Sequence, residues 1–189
     1  NWSIGNFTEL NNQLIFTAQL NGNGTNMELW KSDGTVSGTT LIKATGHDFN
    51  NYFTIPFALV NNKIFYKFNY DLLWVCDGTI AGTYLLKDFN MSNWSIGNFT
   101  ALNSQLIFTA QLNGTGTNME LWKSDGTVSG TQLIKATGHD FNNYYTIPYQ
   151  IINNKIFYKF NYDLLWVCDG TTAGTFLLKD FNMSNWSIG

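Results

Sequence analysis

Arginine is missing from this sequence altogether, and all ten of its basic residues are lysine. Charged residues are scarce at 12%, the net charge is −3, and the lysines form no cluster. A nucleic-acid surface needs concentrated positive charge facing phosphates, so nucleic acid is excluded as the expected partner. Long apolar runs are lacking too. None approaches the roughly 18 residues of a membrane helix, so no segment is expected to span a bilayer. There are only two prolines, two histidines and two cysteines in 189 residues. No stretch holds a helical period, because Gly, Asn and Thr interrupt every candidate.

What is present is repetition. Position i matches position i+92 with eleven differences, among them Glu9/Ala101, Asn12/Ser104, Asn23/Thr115, Thr40/Gln132 and Phe57/Tyr149. Inside that period lies a degenerate half-period. One phrase occurs four times: Leu29-Trp30 through Asp33-Gly34-Thr35 to Gly38-Thr39, then Leu73-Trp74, Leu121-Trp122 and Leu165-Trp166 with their own Asp-Gly-Thr. The four tryptophans are spaced 44, 48 and 44. Asn1-Trp2-Ser3-Ile4-Gly5 recurs at 93–97 and again at 185–189, as expected of a window cut from a longer tandem array.

Each half-period carries four strand signals. In the first they fall near Phe7–Leu10, Leu14–Gln19, Met27–Ser32 and Thr39–Ala44, and in the second near Phe57–Val60, Ile64–Phe68, Leu72–Cys76 and Thr83–Lys87. Asn-Asn pairs tolerate the left-handed backbone of a hairpin turn, and Asp-Gly is expected to make a second tight turn after each Trp strand. Four short antiparallel strands every 46 residues or so indicate an all-β, β-propeller-type array; sandwiches and solenoids are the rivals. The expected blades are 1–46, 47–92, 93–138 and 139–184, with 185–189 opening a further repeat. Trp30, Trp74, Trp122 and Trp166 are expected to fill the space between neighbouring sheets. Four blades could close a ring, two chains could complete an eight-bladed one, or blades could stack openly with copies of the chain as partners.

Glu28-Leu29-Trp30-Lys-Ser-Asp33-Gly34-Thr35 and its copy from Glu120 resemble the ELWxxDGT-repeat proteins. The even copies depart from that pattern, with Leu72 and Leu164 in place of Glu. The resemblance covers all four units. It implies a propeller fold and a secreted or surface-associated tandem-repeat protein, and it supplies no catalytic residues.

Candidate chemistry is thin. A calcium loop concentrates several carboxylates, whereas Asp33, Asp77, Asp125 and Asp169 stand one to a hairpin, so turn formation is their expected role. His47 and His139 have no recurring third partner for a metal or a nucleophile. No cofactor is expected, and nothing suggests paired-carboxylate hydrolysis. Cys76 and Cys168 occupy the Ser32 position of the sister hairpin and are expected to be half-buried. Nine Asn-X-Ser/Thr triplets begin at Asn1, Asn6, Asn23, Asn90, Asn93, Asn98, Asn113, Asn182 and Asn185. Their crowding around 90–98 and its copies makes them glycosylation candidates. Connector aromatics Trp2, Trp94, Trp186, Tyr52, Tyr144 and Tyr145 either plug contacts between units or stack on sugars. The expected function is a non-catalytic structural segment of an extracellular filament, stalk or adhesin. The alternative is a carbohydrate-binding propeller.

Overall fold

The structure is a computed structural model. It describes residues 4–19, 27–44, 46, 57–68, 71–90, 96–111, 119–136, 138, 149–160 and 163–182. No helix occurs among them, and hence none long and apolar enough to cross a membrane. They form four antiparallel sheets of four strands, each a meander in chain order, which is the blade of a β-propeller-type array. Contacts divide the chain into two compact units, Asn1–Asp88 and Phe89–Gly189. The first unit holds β1 (Ile4–Leu10), β2 (Gln13–Gln19), β3 (Met27–Ser32) and β4 (Thr40–Lys43), followed by β5 (Phe57–Val60), β6 (Lys63–Phe68), β7 (Leu72–Cys76) and β8 (Tyr84–Asp88). The second unit repeats them as β9 (Ile96–Leu102), β10 (Gln105–Gln111), β11 (Met119–Ser124), β12 (Gln132–Lys135), β13 (Tyr149–Ile152), β14 (Lys155–Phe160), β15 (Leu164–Cys168) and β16 (Phe176–Asp180).

The first hairpin of every blade turns where the Asn pairs stand. Asn11 and Asn12 adopt φ of 53° and 59°, and Asn61 and Asn62 49° and 55°. Two consecutive left-handed residues match the strand twist, which is why a two-residue loop suffices. Ser104 replaces Asn12 in the second unit yet keeps φ at 63°, so the fold imposes the turn even on a residue less suited to it. β1 begins three residues earlier than the pattern suggests. Asn6, at φ 55°, forms a bulge between Gly5 and Thr8, and its amide nitrogen donates to Thr17 Oγ1 at 2.9 Å. Gly-Asn resembles a strand break in sequence, but that side-chain bond carries the pairing across the bulge.

Strand alternation gives each sheet two unlike faces. In β1–β4 one face carries Leu10, Ile15, Leu29 and Ile42, and these join Ile64, Tyr66, Phe68, Leu72, Trp74 and Cys76 of β5–β8 in one buried cluster. The equivalent cluster of the second unit holds Leu102, Ile107, Leu121 and Ile134 with Ile156, Tyr158, Phe160, Leu164, Trp166 and Cys168. Within each unit the leucine face of the first sheet therefore packs on the tryptophan face of the second. Within that seam Phe68 meets Trp74 edge-to-face at 5.6 Å and 82°, and Phe160 meets Trp166 at 5.6 Å and 83°. Edge-to-face contact sets the electropositive rim of one ring on the electronegative face of the other. Trp74 and Trp166 thus fill the space between the sheets of a unit. Trp30 and Trp122 lie on the other face of their sheets, opposite Phe16 and Phe108 in register, and do not enter that seam.

Phe68 and Phe160 are fully buried at 0% exposure. Phe68→Ala and Phe160→Ala should each destabilise their own unit by about 3–5 kcal/mol, the usual range for losing a buried aromatic. Urea denaturation followed by near-UV circular dichroism would measure it; a change under about 1 kcal/mol would show that the seam is not the core.

Candidate functional site

The most repeated polar structure is the Asp-Gly-Thr loop. It is longer than a tight turn, running from Asp33 to Thr39 between β3 and β4, and it is organised around one carboxylate. Asp33 Oδ1 accepts from the Thr35 amide at 2.9 Å and from the Thr35 hydroxyl at 2.7 Å. The Thr35 oxygen in turn accepts from Gly38 N at 2.9 Å, and Thr39 Oγ1 donates to Thr35 O at 2.7 Å. The same bonds recur around Asp77, Asp125 and Asp169. Gly34 sits at φ +92°, and a Cβ on Gly38 would overlap the Asp33 carboxylate. Both glycines of the phrase are thereby required, one by conformation and one by space.

These bonds hold the Asp33 and Asp169 carboxyls below the usual carboxylate value, the Thr35 or Thr171 hydroxyl contributing most and the backbone amide next. A carboxylate already occupied by its own loop is poorly placed to ligate a cation. Among the described residues no three His, Cys, Asp or Glu side chains come together in a group that could hold a metal ion.

Cys76 and Cys168 take up a hidden part of this loop. Both are free thiols with 0% exposure, fully rather than half-buried. Cys76 Sγ accepts from Gly78 N at 3.1 Å, as Ser32 Oγ accepts from Gly34 N at 3.1 Å. Ser and Cys alternate here because either supplies a small acceptor two residues before the glycine. Burial raises the Cys168 thiol above its ordinary pKa, which disfavours the reactive thiolate.

Three other positions of the repeat escaped the sequence reading. Lys31 Nζ donates to Gly78 O and Lys123 Nζ to Gly170 O, both at 3.3 Å, so the lysine after each odd Trp fastens its sheet to the neighbouring hairpin. The signal was available, since Val75 and Val167 replace that lysine in the even copies. Glu28 and Glu120 are buried at 4%, and Gly138 N donates to Glu120 Oε1 at 3.4 Å. Lys67 is buried at 4% and desolvation lowers its amine to about 8. Tyr66 and Phe68 flank it in β6.

Of the asparagine triplets, Asn6 and Asn98 are half-buried in β1 and β9, and their amide nitrogens donate to Thr17 and Thr109 at 2.9 Å. A glycan there would have to displace the bond that carries the bulge. Asn90 and Asn182 are exposed just past β8 and β16, at φ 52° and 51°. Asn1, Asn23, Asn93, Asn113 and Asn185 lie outside the described residues, as do Trp2, Trp94, Trp186, Tyr52, Tyr144, Tyr145, His47 and His139.

No family model matches the chain, and no curated protein does. Among solved structures, 57 chains match. One is the computationally designed Ika8 protein, at 14% identity and a TM-score of 0.49 over 94% of this chain; the chain spans 48% of that protein's length. Another is an endo-arabinase from Bacteroides thetaiotaomicron, at 11% identity, TM-score 0.40, 91% of this chain and 77% of that one. A third is BamB from Moraxella catarrhalis, at 10% identity, TM-score 0.27, 95% of this chain and 58% of that one. Likeness at this level carries no activity across to the chain.

The loop geometry makes two outcomes testable. Gly174→Ala should destabilise the second unit by about 1–3 kcal/mol, as overpacking does, because its Cβ would overlap the Asp169 carboxylate. Asp33 and Asp169 have lowered folded-state pKa values, so their contribution is complete above the unfolded carboxylate pKa and is lost as pH falls through the folded value. Thermal unfolding followed between about pH 5 and pH 2 should show melting fall with acid, and less so in Asp169→Asn. An equal fall in that variant would remove the loop carboxylates from the account.

Proposed function

We propose that this chain is a structural repeat segment of an extracellular or cell-surface filament, stalk or adhesin, assembling through copies of its own blades. It carries N-linked glycans on exposed asparagines and performs no catalysis. One observation carries this reading: the 92-residue sequence repeat and the two-sheet folded unit coincide, so the molecule grows by adding whole units. In such repeat proteins stability comes from each unit and its neighbours, which suits an extended assembly. The conspicuous polar phrase is consumed internally by its own hairpin. The resemblance to ELWxxDGT-repeat proteins points the same way.

Asn90 and Asn182 are the described acceptors best suited to a glycan, being exposed and outside the sheets. Protein purified from its native source should lose mass on treatment with a peptide N-glycosidase, with Asn90 and Asn182 converted to Asp. It should also be released by protease treatment of intact cells. A sugar-free product would remove glycosylation from the proposal, and a product protected inside intact cells would overturn the surface role.

A further inference from the structure

Each unit shows one way of joining two sheets: the leucine face of the first lies on the tryptophan face of the second. Two other faces, one of each kind, expose apolar side chains. The tryptophan face of β1–β4 carries Trp30 stacked on Phe16 at 6.5 Å, with Phe7 beside Phe16 at 6.1 Å. Phe7 is 57% exposed and Leu14, in register with Ser32 on the same side, is 39% exposed. The leucine face of β13–β16 exposes Ile152 at 52%, Phe176 at 49% and Leu178 at 42%. Leu178 occupies the place that Ile134 fills in the buried seam of the same unit.

The charges on these two faces are opposite. Register places exposed Glu9 beside Leu14 on the tryptophan face of β1–β4, where Glu28 is buried within its own sheet. It places Lys155 across from Ile152 and Lys159 across from Leu165 on the leucine face of β13–β16. Glu9 is exposed, and its counterpart in the second unit is Ala101. The exposed acid therefore marks the tryptophan face of β1–β4 and is absent from that of β9–β12.

We infer that the leucine face of β13–β16 is a docking surface for the tryptophan face of β1–β4 of a second copy of this chain, in the mode already seen inside each unit. This rests on the assembly reading above and adds to it the two surfaces and the direction. The joint is heterologous: each copy uses two different faces, so copies add head to tail and either propagate or close into a ring. Apolar area drives the contact, and the opposite charges of Glu9 and the two lysines favour this pairing over two like faces meeting.

The test uses the full chain with Phe7→Asp and Leu178→Asp variants. Both positions are exposed, so folding should survive, with circular dichroism as the check. Sedimentation velocity of the unaltered chain should show concentration-dependent multimers. Each variant alone should associate at least about a hundredfold more weakly, as expected for an unpaired charge buried in an apolar joint. Mixing the two should restore association but stop at dimers, because each variant keeps one intact face. Variants that multimerise like the unaltered chain would overturn this joint while leaving self-assembly standing. A mixture that forms no dimer would overturn its head-to-tail direction. A chain that stays monomeric at every concentration would overturn the joint and self-assembly together.

Discussion

The seam between two unlike sheet faces is the contact on which the rest depends. A single four-stranded meander buries nothing on its own, and two faces of apolar side chains have to find covers. Within each unit one face of each sheet finds the other. Leu29 and Ile15 meet Phe68 and Trp74, and the rings in that seam sit edge-to-face rather than stacked flat. With charges scarce at 12%, this apolar and aromatic contact has little electrostatic competition.

The hairpin loops answer a different constraint. Every Asp-Gly-Thr loop closes its own hydrogen bonds within seven residues, so it needs no support from the seam. That independence explains which parts of the phrase vary between odd and even copies. Ser32 becomes Cys76 because either atom accepts from the glycine amide. Lys31 becomes Val75 because only the odd sheets reach a neighbouring hairpin carbonyl within their unit. Asp, both glycines and both threonines persist, since the loop cannot close without them. The motif that recurs most insistently thus spends its polar groups on its own loop.

Much of this was legible beforehand. The strands β3, β5 and β7 fall where Met27–Ser32, Phe57–Val60 and Leu72–Cys76 were expected, because alternation and turn residues bracket them tightly. The Asn turns were equally plain. Three features were not: the bulge at Asn6, the length of the Asp-Gly-Thr loop, and the burial of Glu28 and Lys67. The loop's length follows from side-chain bonds to Thr35 that Asp-Gly alone does not announce. The bulge and the two burials depend on partners distant in sequence or on neighbouring strands, which local pattern does not register. The division of the four tryptophans into two kinds was hidden for the same reason. All four stand in the same phrase, and only pairing two sheets shows that Trp74 and Trp166 enter a seam within a unit while Trp30 and Trp122 face away.

By itself the sequence determined the repeat length, the all-β class, the number of sheets and the turns between their strands. Those follow from period, strand propensity and the backbone preferences of Gly and Asn, which act over a few residues. Tertiary structure decided which face of each sheet meets which, what the Lys31 and Lys123 side chains reach, and which apolar residues, Phe7 and Leu178 among them, remain exposed. Side-chain alternation defines two faces for every strand but not their partners, and only the packing of one sheet on another selects between them.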